Sequence, residues 1–162
     1  MKNIWIILTI FTFFGCATSY RSRGFNGGYS ETQLDTNVFR VSFNGNSYTS
    51  REKVYDYTLL RCAELALNNG FKFFIIADSS NSATYGTYTT PTTTNTRTDV
   101  NVSGNTARAT SEATTYGGQT FVTSKPSSIN TIICYKNKPD ISTLIYNAEL
   151  IYESIRKQYH LK

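Results

Sequence analysis

Residues 38–43 read VFRVSF, and this stretch, together with the helical pattern behind it, decides the fold class. Apolar and polar side chains alternate, which places Phe39, Val41 and Phe43 on one face, as is typical of a half-buried strand. Residues 44–46 (NGN) then supply turn-forming side chains. We therefore expect a strand over 38–43 with one face against a core.

A helix is predicted directly downstream, from Thr49 to Asn69. Thr49 followed three residues later by Glu52 matches a capping box, in which each side chain satisfies a free backbone N–H at the start of a helix. Gly70 is expected to end the helix in the left-handed conformation. At 100° per residue, one arc of this helix collects Tyr55, Leu59, Leu60, Cys62, Ala63, Ala66 and Leu67.

Residues 79–128 differ in composition from the rest of the chain, because they are rich in Thr, Ser, Asn and Gly. Thr98, Val100 and Val102 alternate with polar residues before the sequence SGN at 103–105, which predicts a hairpin. Disorder is the alternative, because this composition buries too little apolar surface to offset the entropy of ordering. A long insertion of this kind is either functional or a tolerated, solvated excursion.

Two more strands and a second helix complete the pattern. Residues 71–78 (FKFFIIAD) are apolar on both faces, which suits a strand buried on two sides, and residues 129–135 (INTIICY) form the next strand. Asp140 is the expected N-cap of a last helix that runs towards Tyr159 with apolar residues at three- and four-residue steps. The order strand, helix, strand, Thr-rich excursion, strand, helix predicts a two-layer α+β fold with one small sheet packed by two helices. Alternatively, the helices cover opposite faces of the sheet, or its open face meets a partner.

The start of the chain resembles an export signal. Residues 1–3 are weakly positive, and residues 4–14 (IWIILTIFTFF) are apolar and uncharged, which is shorter than the roughly 20 residues of a membrane-spanning helix. The run ends at Gly15-Cys16, which resembles the lipobox of bacterial lipoproteins. This resemblance implies a signal peptide over residues 1–15, diacylglycerol on the Cys16 sulfur and a fatty acid such as palmitate on the new amine. An ordinary secretory signal and an uncleaved anchor are the alternatives.

Behind the cleavage site we expect a tether and one domain. Residues 16–36, which hold Gly24, Gly27 and Gly28 with Ser and Asn and show little hydrophobic periodicity, predict a lipidated flexible tether. Residues 37–162 are expected to form a single periplasmic α+β domain that contains the insertion at 79–128. No Asp follows Cys16, which favours, by analogy with lipoprotein sorting rules, the outer membrane of a Gram-negative cell, with the domain facing the periplasm.

The remaining cysteines, Cys62 and Cys134, would lie in an oxidising compartment, where disulfides persist. One interpretation is a disulfide between them, and the other is two buried free thiols.

Motifs for catalysis or metal binding are missing from the sequence. Neither a phosphate-binding loop nor a dinucleotide or zinc-protease motif occurs, and we expect no cofactor and no metal. The net charge of +5 is spread along the chain without a block of like charges, so nucleic acid is not an expected partner. Glu52 and Asp56 are candidates for acid–base cleavage of a glycan. The alternative is ion pairing with a basic neighbour: Arg40, Arg51 or Lys53.

Eight short runs outside the Thr-rich segment carry a family resemblance. They are 28–34 (GYSETQL), 39–46 (FRVSFNGN), 48–52 (YTSRE), 56–61 (DYTLLR), 63–65 (AEL), 125–126 (KP), 146–148 (YNA) and 157–159 (KQY). Together they resemble a family of uncharacterised lipoproteins of Gram-negative bacteria. The resemblance implies a lipoprotein with a single periplasmic domain, and it carries no activity, substrate or catalytic residue. Cys62 stands where that family is expected to have a small residue such as alanine, which disfavours a disulfide.

The sequence as a whole predicts a non-enzymatic, membrane-anchored envelope protein that binds another envelope component, either a protein or peptidoglycan. Its 12 tyrosines offer aromatic surfaces that stack on sugars or bind proteins. The alternatives are a glycan-acting envelope enzyme, and a structural or surface-exposed interaction protein whose Thr-rich segment faces the outside. The oligomeric state is left open.

Overall fold

The computed structural model describes residues 17–162. The predicted signal peptide and Cys16 lie outside the described residues. Strands take up 51% of the structure and helices 20%, so the fold is mostly sheet with two helices, and the sheet is open rather than closed on itself. The predicted combination of a sheet with two helices is confirmed at this coarse level.

The described chain has more strands than the sequence predicted. Five strands form one sheet in the order β1-β2-β6-β3-β7, and β4 and β5 form a separate two-stranded sheet. The elements are β1 (Gly28–Asp35), β2 (Val38–Asn44), α1 (Arg51–Asn68), β3 (Phe73–Thr89), β4 (Thr93–Ser103), β5 (Thr106–Tyr116), β6 (Thr120–Tyr135), β7 (Tyr146–Asn147) and α2 (Ala148–Gln158).

The chain divides into two compact units. Unit 1 contains the described residues up to Thr84 and those from Lys125 onwards, and unit 2 contains Tyr85–Ser124. Strands β3 and β6 contribute residues to both units. The predicted insertion at 79–128 contains the whole of unit 2, which we call the ribbon.

The core of unit 1 is built on β2, where the predicted alternation is confirmed. Phe39, Val41 and Phe43 are buried, whereas Arg40 between them is exposed. Strand β2 pairs antiparallel with β1 on one side and β6 on the other, so its backbone groups have partners along both edges. Ile132, which lies opposite Phe39 on β6, is buried on the same face.

Both helices pack into this core. Three small side chains of α1, those of Cys62, Ala63 and Ala66, are completely buried in the cluster that contains Phe39 and Val41. Small side chains let a helix approach a sheet closely, so that apolar surface leaves water on both elements. The cluster also contains the first residue of α2, so the alternative with helices on opposite faces is not what the structure adopts.

The first helix begins one residue later than predicted. Ser50 is its N-cap, and the Ser50 hydroxyl accepts a hydrogen bond from the Lys53 N–H at 3.2 Å. Thr49 is therefore not the cap, because its hydroxyl is engaged elsewhere. At the other end Gly70 has a φ of +76°, which confirms the predicted left-handed residue behind the helix.

The second helix is shorter than predicted. It is capped by Asn147, whose side chain accepts a hydrogen bond from the Leu150 N–H at 3.2 Å, so the prediction of Asp140 as N-cap is wrong. The reason is a tertiary contact, because the two residues before α2 pair with β3 as strand β7. The apolar Leu144, which the helical pattern included, is left exposed.

The predicted flexible tether over residues 16–36 is wrong from residue 17 onwards. Thr18 is only 2% exposed. Its N–H donates to the Thr49 hydroxyl at 2.9 Å, and its own hydroxyl donates to the Asn26 carbonyl at 2.7 Å and accepts from the Asn46 N–H at 2.9 Å. Farther along, β1 forms an edge strand of the sheet. Hydrogen bonds of Thr18 and the packing of Tyr20 and Tyr29 against a buried apolar cluster fix this segment. Neither feature gives a hydrophobic periodicity, which explains why the composition suggests a linker.

Replacing Thr18 with Val should lower the free energy of unfolding by about 1–3 kcal/mol, because the partly buried Asn46 N–H loses the hydroxyl that accepts its hydrogen bond. Ser19→Val, at the adjacent exposed residue, should change it by less than about 0.5 kcal/mol. Urea unfolding followed by circular dichroism measures both. Equal stability of the two variants would mean that this segment is not pinned.

Candidate functional site

Of the sequence-predicted site residues, Cys16 lies outside the described part of the chain. Cys62 and Cys134 are both buried free thiols in the core cluster of unit 1. Burial raises the pKa of Cys62, and the neighbouring Cys134 raises it further. Burial also raises the pKa of Cys134 to about 12. The structure adopts the interpretation with two buried free thiols. A thiol that keeps its proton is a poor nucleophile, so both cysteines act as core side chains.

Asp56, one of the two candidate acid–base carboxylates, joins the second turn of α1 to the end of α2. It accepts hydrogen bonds from the Tyr159 hydroxyl at 2.7 Å and from the Gln158 amide at 3.3 Å. Burial and the hydrogen bond to Asp56 raise the pKa of Tyr159, so its hydroxyl remains a donor. The Tyr159 ring packs edge-on against Tyr57, with centroids 5.1 Å apart. These contacts give Asp56 a structural role.

Arg61 organises a polar network that the sequence analysis did not anticipate. Two of its nitrogens donate to Glu31 on β1, at 2.7 and 3.2 Å, and a third donates to Glu64 at 2.8 Å. Its guanidinium lies 4.2 Å from the centre of the Tyr29 ring. The Tyr20 hydroxyl donates to the same Glu64 carboxylate at 2.5 Å. The spacing of Arg61 and Glu64, three residues apart on a helix, was the one sequence signal for it.

This network borders a cavity of about 520 Å³ that the rings of Tyr20, Tyr29 and Tyr152 also line. Burial and the hydrogen bond to Glu64 raise the pKa of Tyr20, which keeps its hydroxyl protonated as the donor. Arg61 is matched by two carboxylates, so its charge is already neutralised from within the chain. The arrangement therefore fastens β1 and the segment around Tyr20 to α1.

The ribbon is built in the opposite way, without a core in its hairpin. All residues of β4 and β5 are exposed. The two strands pair antiparallel over their whole length, from Thr93 opposite Tyr116 to Ser103 opposite Thr106. Gly104 forms the turn with a φ of +62°. The structure thus adopts the predicted hairpin rather than the disordered alternative.

Strand pairing gives this hairpin two unlike faces. One face is charged and polar, with Arg97 opposite Glu112. The other face carries small apolar and hydroxyl side chains, and Val100 and Val102 stand exposed on it. The residues of this second face are Thr94, Thr96, Thr98, Val100, Val102, Ala107, Ala109, Ser111, Ala113 and Thr115.

The outer edges of the hairpin are available for pairing with another strand. Within the described residues, β4 and β5 pair only with each other, so each has one edge of backbone N–H and C=O groups without a strand partner. Such an edge is a template for the addition of another strand. The outer edges and the Thr/Val face of the ribbon are therefore the candidate binding surface.

Residues 17–162 contain no helix that is long and apolar enough to cross a membrane. Nowhere in the same range do three or more His, Cys, Asp or Glu side chains converge as they would around a metal ion. No protein-family model, curated protein or solved structure matches this chain.

Arg61→Leu should lower the free energy of unfolding by about 2 kcal/mol, because it leaves the largely buried Glu64 carboxylate, and the more exposed Glu31 carboxylate, without their cation. The matched control is Arg97→Leu. Arg97 also pairs with a carboxylate, that of Asp99, but its side chain is 82% exposed against 16% for Arg61. The control should cost less than about 0.5 kcal/mol. Urea unfolding compares the two, and a similar loss for both would contradict the structural role of the network.

Alkaline pH should destabilise the protein through its buried thiols. The unfolded Cys134 thiol loses its proton near its ordinary pKa of 9.0, whereas the folded thiol keeps it to about pH 12. The stabilisation that comes from this group is therefore fully present below pH 9. It is lost as the pH rises towards 12, by about 1.4 kcal/mol per pH unit for each such group. Cys134→Ala should reduce the slope of unfolding free energy against pH by that amount between pH 9 and 11. An unchanged slope in urea titrations would refute this assignment.

Proposed function

We propose that this chain is a non-enzymatic, lipid-anchored protein of the bacterial envelope that binds a protein partner through the ribbon. The anchor is the lipid predicted on Cys16, and the location is the outer membrane with the domain facing the periplasm. The apolar run that ends at Gly15-Cys16 supports the anchor, and the resemblance to lipoproteins of Gram-negative bacteria agrees with it. We also assign the packing of unit 1 to the two-layer α+β class, because both helices share one core cluster with the sheet.

The observation that carries the binding role is the pair of unpaired edges on the hairpin of β4 and β5. An isolated two-stranded hairpin is marginally stable in water. A partner strand that adds to one edge supplies backbone hydrogen bonds, each contributing about 0.5–1.5 kcal/mol net. The ribbon therefore gains order and satisfied backbone groups when it binds.

A protein partner fits this surface better than peptidoglycan does. Backbone edges recognise another extended backbone along its length, whereas glycan binding relies on aromatic rings beside polar groups in a cleft. The exposed Val100 and Val102 offer apolar contact to alternate side chains of an added strand. The engaged state of Asp56 makes a glycan-cleaving role the weaker reading.

A shortened ribbon tests this function. Thr90 donates its N–H to the Gln119 carbonyl at 2.9 Å, so replacing residues 91–118 with Asn-Gly closes a two-residue hairpin at that pair. In intact cells, cross-linking of the full chain should give adducts through residues 93–116 that the shortened variant lacks. Both proteins should gain lipid mass and fractionate with the outer membrane, whereas Cys16→Ser should be soluble.

Each arm of this experiment has its own contradictory result. Identical adducts from the full and shortened proteins would show that the ribbon is not the binding surface. A native protein without lipid would remove the anchor. Cleavage of residues 85–124 by protease added to intact cells would move the ribbon to the outside of the cell and favour a surface-exposed interaction protein.

A further inference from the structure

The domain begins immediately behind its predicted anchor. Only Ala17 separates Cys16 from Thr18, and Thr18 is buried and held by three hydrogen bonds to the rest of unit 1. Two residues span at most about 7 Å. A lipid on Cys16, which is part of the proposed function, would therefore hold the surface around Thr18 against the membrane instead of letting the domain stand off.

The surface next to Thr18 is a rigid turn with an exposed aromatic ring at its tip. The Thr18 hydroxyl donates to the carbonyl of Asn26, and Gly24 and Gly27 close the turn through reciprocal N–H···O bonds of 3.0 and 3.1 Å. Gly27 has a φ of +92°, and a Cβ there would lie 2.1 Å from the Asn44 carbonyl oxygen. Only glycine fits this contact, which seats the turn on the end of β2. Phe25, at the tip, is fully exposed.

Exposed basic side chains lie on the same part of unit 1 as this ring. Arg21, Arg23 and Lys125 are exposed. Arg23, Lys125 and Phe25 line one shallow cavity of about 410 Å³, and no acidic side chain lines it with them. An exposed aromatic residue beside cations suits the boundary between acyl chains and anionic lipid headgroups.

We propose that this surface, formed by Arg21, Arg23, Phe25 and Lys125, docks onto an anionic lipid surface. Phe25 enters the boundary between headgroups and acyl chains, and the basic side chains contact lipid phosphates. The acyl chains on Cys16 supply membrane affinity, and the docking surface sets which side of the domain meets the membrane. The inference rests on the proposed lipid anchor.

Leu144 provides a control position at the other end of the sheet. Asn44, on which the turn rests, is the last residue of β2, and Val38 is the first. Val38 pairs with Ile133 near the end of β6, and β7, which follows Leu144, pairs with the first residues of β3. Leu144 is apolar and 66% exposed. It therefore resembles Phe25 in being an exposed apolar residue, but it lies about 20 Å away, roughly the length of β2.

Tryptophan fluorescence of the full-length lipidated protein tests the docking surface. The chain has one tryptophan, Trp5, which the predicted signal cleavage removes, so Phe25→Trp and Leu144→Trp each introduce a single indole. Both variants are reconstituted into vesicles of phosphatidylethanolamine and phosphatidylglycerol with brominated acyl chains. The Phe25→Trp indole should emit at shorter wavelength and lose most of its intensity to bromine quenching, and the Leu144→Trp indole should do neither.

Intact mass on the same samples separates the two ideas. Lipid mass with strong quenching of Phe25→Trp alone supports docking. Lipid mass with equal, weak quenching of both variants overturns docking and leaves the anchor in place. A mass without lipid overturns both the anchor and the docking that rests on it. Adding Arg21→Gln and Arg23→Gln to Phe25→Trp should reduce the quenching, and an unchanged value would contradict the role of the cations.

Discussion

The close contact between α1 and the inner face of β2 is the constraint on which unit 1 depends. Cys62, Ala63 and Ala66 present small side chains to the sheet, and Phe39 and Val41 fill the space that they leave. Since all five are buried, a larger side chain on this side of the helix would force strand and helix apart, and overpacking of this kind is destabilising. The helix thereby fixes the position of Arg61 on its flank, and with it the hold on β1 and the segment before it.

The sequence was sufficient where local pattern and burial agree. The alternation of 38–43 and the left-handed Gly70 match the structure, and a hairpin turn at 103–105 was one of two interpretations. The sequence was insufficient where hydrogen bonds between distant residues determine the secondary structure. β1 carries polar residues because it is an edge strand, and β7 exists only because β3 offers it an edge, which displaced the start of the last helix from Asp140. No periodicity records such pairings, and the Arg61 network joins residues about 30 positions apart for the same reason.

The two units differ in how their polar groups are paired. In unit 1 the guanidinium of Arg61 is matched by the carboxylates of Glu31 and Glu64. In the ribbon the backbone edges are left without a strand partner among the described residues. The hairpin of β4 and β5 therefore exposes a backbone template to which another strand can add. The sequence indicated the candidate binding surface only through its Thr-rich composition, because the exposed edges exist only once β4 and β5 have paired.

The ribbon also has a consequence for the order in which the chain folds. Strands β2 and β6 pair residues almost 90 positions apart, such as Val41 with Asn130, and the entropy of closing a loop rises with its length. The turn at Gly104 joins β4 and β5 locally, and their pairing brings the chain back on itself until Thr89 and Thr120 lie 2.9 Å apart at their hydroxyls. A hairpin that closes from its tip in this way shortens the effective loop that β6 must span to reach β3 and β2. Local pairing within the Thr-rich insertion therefore offsets part of the loop-closure entropy that its own length adds to the central pairing of the sheet.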